Sequence, residues 1–166
     1  MTSSQIRPGH VAGPARVSSR AGRRRAATRA GVTVGAGAGE ALMHTLLIVD
    51  DEASNSEPLE ALLQENGYRV FTAVNGQHGL ERMDEVAPEL VILDFMMPVM
   101  NGAELGRRLR ANQATRRIPI LMNSGTSEAT VREDFSGYDA FLRKPYKIAE
   151  LLSLVRDLLA ASTKQA

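Results

Sequence analysis

From Thr45 onward, short apolar runs alternate with stretches whose apolar residues recur every three or four positions. Thr45-Leu-Leu-Ile-Val49 is a continuous apolar run, the pattern of a strand buried on both faces. Leu59, Leu62 and Leu63 recur at helical spacing, with Pro58 read as first-turn, Ser56 or Glu57 as its cap, and Gly67 as the stop. Residues 70–73 are the next strand, and Leu80, Met83 and Val86 mark a helix halted by Pro88. Leu90-Val-Ile-Leu93 is a second fully apolar strand. Asn101-Gly102 opens a helix carrying Ala103, Leu105 and Leu109. Residues 118–122 are the fourth strand, and a weak helix over 128–135 leads to a fifth strand at 140–142. Leu151, Leu152, Val155, Leu158 and Leu159 form the strongest amphipathic helix, ending near Ala161. Five strands, each followed by a helix, predict an α/β fold: a doubly wound parallel sheet with helices on both faces.

Charge divides the chain in two. Residues 1–42 hold seven Arg and one acid, for a net +6; residues 43–166 hold 13 basic and 18 acidic residues, for a net −5. The near-neutral total of +1 therefore averages a basic arm and an acidic body. The arm has no aromatic residue and no periodicity, the composition of a disordered segment. An arm that meets nucleic acid or a membrane surface, an organelle transit peptide, and a start codon assigned upstream of Met43 all fit it. The last is preferred, because Met43 falls two residues before the first strand. The expected organisation is an Arg-rich extension over 1–42, one domain over 43–161 and a short tail over 162–166. No run approaches the ~20 apolar residues of a membrane span, and the chain has no Cys.

In parallel sheets of this kind, ligands sit at the carboxyl ends of the strands. The first strand runs into Asp50-Asp51-Glu52, the third into Asp94, the fourth into Asn123-Ser124 and the fifth into Lys144-Pro145. Clustered carboxylates repel unless a cation is near, and Mg²⁺ suits one or two carboxylates together with phosphate oxygens. The set offers a carboxylate nucleophile at Asp94, with Ser124 and Lys144 as donors for a phosphoryl group. Singly, an acidic pair is an ordinary helix cap and a lone Lys a surface residue. Their occurrence together, in order, at four strand ends points to a site.

The segments Leu-Leu-Ile-Val-Asp50-Asp51-Glu, Leu-Val-Ile-Leu-Asp94-Phe-Met-Met-Pro98-Val-Met-Asn-Gly102, Pro-Ile-Leu-Met-Asn-Ser124-Gly and Phe-Leu-Arg-Lys144-Pro145 resemble the receiver domain of two-component response regulators. The resemblance covers residues 45 to about 160. It implies a flavodoxin-like strand order 2-1-3-4-5, and Asp94 as acceptor of a phosphoryl group from a histidine kinase or histidine phosphotransfer protein. It implies Mg²⁺ bound by Asp51, Asp94 and the Met96 backbone carbonyl, with Asp50 acting mainly through the ion's water shell. Ser124 and Phe141 correspond to the switch hydroxyl and switch aromatic, Lys144 to the phosphate-binding lysine, and the Lys144–Pro145 peptide is implied to be cis. Such a protein is a cytoplasmic phosphoacceptor that assists its own phosphorylation and dephosphorylation, not a dedicated enzyme. With only 162–166 left after the body, a single-domain form that signals by binding a downstream protein is expected; nucleic acid would be met only through the arm.

Two other functions compete. A phosphorylation-independent scaffold would keep the fold without using the acidic set. An aspartate-dependent phosphohydrolase would need a second Asp two residues after Asp94, where Met96 stands. Gly125 follows Ser124 where alanine is usual, and the stretch 127–138 is short and weakly apolar, which bears on the output surface. His10, His44 and His78 form no cluster, and Met96, Met97 and Met100 are as well explained by packing as by partner contact.

Overall fold

The computed structural model describes residues 43–164; the expected arm over 1–42 and the last two residues lie outside them. The chain alternates β1 (Thr45–Val49), α1 (Ala53–Glu65), β2 (Arg69–Ala73), α2 (Gly76–Val86), β3 (Leu90–Asp94), α3 (Gly102–Ala111), β4 (Ile120–Ser124), α4 (Glu128–Asp134), β5 (Ala140–Arg143) and α5 (Ile148–Thr163). All four pairings are parallel and the order is β2-β1-β3-β4-β5. This is the expected doubly wound flavodoxin-like sheet.

The apolar runs become strands because they are buried on both faces. Leu47, Val49, Val91, Leu93, Ile120 and Met122 pack on the side of α2 and α3. Leu46, Ile48, Leu90, Ile92, Leu121 and Leu142 pack on the side of α1 and α5. Each fully buried Leu or Ile contributes about 1.5–3 kcal/mol. This two-sided core fixes the strands' register, and with it which residue ends each strand.

Helix starts are set by side chains that reach back to the backbone. Asn75, Asn101 and Ser127 each accept a hydrogen bond from the backbone N–H three residues on, capping α2, α3 and α4. The α3 start is also sterically constrained: a Cβ on Gly102 would strike the Asp94 carbonyl. Only glycine lets α3 begin so close to the end of β3. At the other end of α1, Gly67 takes φ +85°, as the expected helix stop.

Three boundaries differ from the sequence expectation by two residues or more. The helix α1 begins at Ala53, not near Pro58, because Glu52 rather than Ser56 or Glu57 precedes it; Pro58 sits inside the helix. Its first turn, Ala-Ser-Asn-Ser, has no apolar stripe to announce it. The strand β4 begins at Ile120, since Pro119 has no N–H to donate to the ladder and only its carbonyl pairs, with the Val91 N–H. The helix α5 continues to Thr163, two residues past the last expected helical position, with the Thr163 hydroxyl bonded to the Leu159 carbonyl.

Between β3 and α3, Val99 adopts φ +68° while 83% exposed. A β-branched residue in the left-handed region carries strain that no burial offsets. Val99→Gly is expected to stabilise the fold by about 1 kcal/mol, read as a higher urea midpoint with an unchanged slope. A lower midpoint would show that Val99 makes a stabilising contact instead.

Candidate functional site

The carboxyl ends of β1, β3, β4 and β5 converge on a cleft of about 370 Å³ lined by Asp50, Asp51, Asp94, Met96, Ser124 and Lys144. Every residue singled out from the sequence for phosphoryl or metal chemistry is therefore in one place. Phe141 is the exception: it lies on β5, packed against the α2/α3-side core rather than lining the cleft.

Lys144 organises the site. Its Nζ donates to Asp50 Oδ2 at 2.9 Å and to Asp94 Oδ1 at 2.7 Å. Both carboxylates are buried, at 6% and 8% exposure. Asp94 Oδ2 accepts the Met96 backbone N–H at 2.7 Å, and Asp50 Oδ1 accepts the Glu52 N–H at 2.9 Å. Each acid is thus pinned at one oxygen by the following loop and at the other by the lysine. Burial pushes the Asp94 carboxyl above the ordinary aspartate range, and this outweighs the lowering effect of Lys144 and the Met96 N–H. Burial alone would lower the Lys144 pKa; its bonds to Asp94 and Asp50 outweigh that and raise it, so the ammonium stays charged.

Ser124 is buried, and its Oγ accepts the Thr126 N–H at 3.0 Å, leaving the hydroxyl proton free to be donated. Its backbone carbonyl accepts the Lys144 N–H at 2.9 Å, so the switch hydroxyl and the lysine are linked through the β4–β5 ladder. The Lys144–Pro145 peptide is cis. Asp51 is exposed at the cleft mouth.

Three further cleft residues carried no assigned role in the sequence. Glu52 and Thr126 enter through their backbone amides, which residue type does not reveal. Asn55 bonds Glu52 Oε2 at 3.1 Å and Asp50 Oδ1 at 3.4 Å; it lies in the first turn of α1, ahead of the helix start that the sequence suggests, so no pattern marked it. Below Ser124, Phe141 packs on Tyr138 with ring centroids 6.0 Å apart. The Tyr138 hydroxyl donates to Glu128 Oε1 at 3.2 Å, and the Arg132 guanidinium lies 5.6 Å from its ring centroid. Phe141 lacks a hydroxyl, but its neighbour supplies one to the first turn of α4.

Among the described residues, no three His, Asp or Glu side chains form a ready-made metal cage. The donors at the cleft are nonetheless all oxygen, two of them on buried acids that a cation favours. This suits Mg²⁺, which needs only one or two carboxylates and keeps much of its water.

A parallel sheet in this order carries at its carboxyl edge a pair of buried acids bridged by one lysine. The model of the response regulator receiver domain matches residues 46–156, and the chain belongs to that family. It is 38% identical over 117 residues to the response regulator ArlR of Staphylococcus aureus, covering 70% of this chain and 53% of ArlR. The chain thus spans about half the length of the curated relatives it matches. It is similar to the receiver domain of a sensor histidine kinase from Pseudomonas aeruginosa, solved with a magnesium ion coordinated in the active-site cleft (28% identity, TM-score 0.67, 71% of this chain and 98% of that one). The response regulator TrrA of Thermotoga maritima, solved in complex with Mg²⁺ and BeF, gives 31% identity and a TM-score of 0.64 over 70% of this chain and 99% of that one. Among the described residues, no helix is long and apolar enough to cross a membrane.

Because its folded-state pKa is raised, Asp94 favours the fold at low pH and opposes it as pH rises through that raised value. Asp94→Asn is expected to raise the thermal midpoint at pH 7, without divalent ions, by about 2–5 °C. The gain should shrink as the pH falls below the ordinary aspartate range, where the acid is neutral folded or unfolded. An equal gain at both pH values would contradict the burial argument.

Proposed function

We propose that this chain is a receiver that accepts a phosphoryl group on Asp94 from a histidine kinase or histidine phosphotransfer protein and signals through a phosphorylation-dependent contact with another protein. The observation that carries it is the Lys144 ammonium bonded to both Asp50 and Asp94 in one open cleft with Ser124. The ammonium favours the carboxylate form of Asp94, the nucleophile, against the opposing effect of burial. In the transfer, a carboxylate oxygen of Asp94 forms the new bond to phosphorus while the bond from phosphorus to the donor's imidazole nitrogen breaks and its electrons return to the ring. Lys144 and the Ser124 hydroxyl are within the same cleft to donate to the phosphoryl oxygens.

Asp51, Asp94 and the Met96 backbone carbonyl would hold Mg²⁺, with Asp50 contributing through the ion's water shell. The bound ion supplies charge neutralisation for the phosphoryl oxygens. Phosphorylation adds nearly two negative charges and three acceptors, which draw Ser124 and Lys144 toward Asp94. Phe141 shares its strand face with Arg143, the ladder partner of Ser124, so inward movement there frees space for its ring. Its departure from Tyr138 would disturb the Tyr138–Glu128 bond at the start of α4. The output surface is then α4 and β5, and it responds to a local electrostatic change. The protein acts in the cytoplasm as a phosphoacceptor that assists its own chemistry rather than as a dedicated enzyme.

Incubation with acetyl phosphate and Mg²⁺ is expected to add one phosphate to the intact mass. Asp94→Asn should abolish the adduct, and Asp51→Asn should lower its rate at least about tenfold through the lost metal carboxylate. No adduct on the unaltered chain, or an undiminished one in Asp94→Asn, would overturn the proposal.

A further inference from the structure

Asn123 is a polar residue on a buried strand, and the chemistry above leaves it without a task. It is 3% exposed, and its side-chain Oδ1 has no hydrogen-bond partner. A buried amide with an unmade bond costs more than an apolar side chain of the same shape would.

Strand alternation says what the amide sits beside. Leu121 packs on the α1/α5 side of the sheet, and Asn123, two residues on, points the same way. Asp94 follows Leu90 and Ile92 onto that side, and Asp50 follows Leu46 and Ile48. Asp94 and Asn123 are direct ladder partners across β3 and β4. Lys144 continues the same face from Leu142 on β5. In the order β1-β3-β4-β5, a lysine at the end of β5 must cross β4 to reach Asp94 on β3 and Asp50 beyond β1. The β4 residue facing that path is Asn123.

An ammonium has three N–H donors, and Lys144 spends two on carboxylates. One donor and one orphaned buried acceptor therefore lie on the same face of the sheet, on neighbouring strands. We propose that Asn123 is a positioning residue for Lys144: its side-chain carbonyl accepts the third N–H and keeps the ammonium over β4 when Asp50 and Asp94 turn to a cation and a phosphoryl group. The inference rests on Asp94 being the phosphoacceptor. It makes the lysine's reach depend on a residue that touches neither phosphate nor metal.

The chain has only three lysines, 144, 147 and 164, so a ¹³C label at the lysine ε-carbon gives a spectrum simple enough to follow one side chain. Lys144→Arg identifies the Lys144 signal. In the full chain with Mg²⁺ and beryllofluoride, the two Lys144 ε-protons should be inequivalent, as in a held side chain. Asn123→Leu should merge them into one averaged signal and slow acetyl phosphate-driven phosphorylation about tenfold, the scale of one lost charge-assisted hydrogen bond. Asn123→Asp keeps the acceptor and should preserve the split signal. If Asn123→Leu does not fold, Asn123→Val serves the same comparison. An unmerged Lys144 signal in the apolar variant, or merging in Asn123→Asp as well, would overturn the inference. If the unaltered chain takes up no phosphate, the phosphoacceptor role fails and this proposal fails with it; normal phosphorylation with an indifferent Lys144 signal sinks this proposal alone.

Discussion

One ammonium bridging two buried carboxylates is the interaction on which the rest of this molecule depends. Asp50 and Asp94 sit at the ends of adjacent strands and are largely buried, and Lys144 arrives from β5, two strands from Asp94 and three from Asp50, to satisfy both. Two buried anions side by side repel, and removing the cation would leave two poorly solvated charges together. The sheet has to supply the spacing. With β3 between β1 and β4, and β4 between β3 and β5, one lysine side chain spans the acids without leaving the carboxyl edge. The two-sided core on Leu46, Ile48, Leu90, Ile92 and their opposite-face neighbours fixes those strand ends. Packing below the site therefore sets the electrostatics within it.

The same arrangement explains why the cleft suits transferable charge. Ionisation of Asp94 carries a cost, because burial raises its pKa even against Lys144. A group in that state gains from any added cation. Family membership and the magnesium-bearing relatives agree with the oxygen-only donor set. On the far side of the sheet edge, the Phe141–Tyr138–Glu128 chain of contacts links the Ser124 region to the first turn of α4. Tyr138 carries the hydrogen bond that Phe141 cannot make.

The sheet was legible in the sequence chiefly through its central strands β1, β3 and β4, which are buried on both faces and read as apolar runs, while the edge strands β2 and β5 are only partly buried. The site was legible because its side chains end those runs. What escaped had no such marker. The first turn of α1 is polar where it faces the cleft, so Asn55 looked like part of a loop. Glu52 and Thr126 act through backbone amides, and any residue has one. The start of β4 shifted past Pro119 because hydrogen bonding, not hydropathy, begins a ladder. Tyr138 stands outside any strand or helix, and its link to Phe141 exists only once β5 and α4 are packed. Asn123 was visible as a strand end, but its orphaned carbonyl required the fold.

The most direct test of the Lys144 bridge as the centre of the mechanism is a crystal structure of the chain with Mg²⁺ and beryllofluoride. The account predicts the fluoride group on Asp94, the Lys144 Nζ within hydrogen-bond distance of a fluorine and withdrawn from Asp94 Oδ1, and the Ser124 hydroxyl turned toward the same group. A fluoride group on another residue, or a Lys144 still bonded to both Asp50 and Asp94, would contradict it.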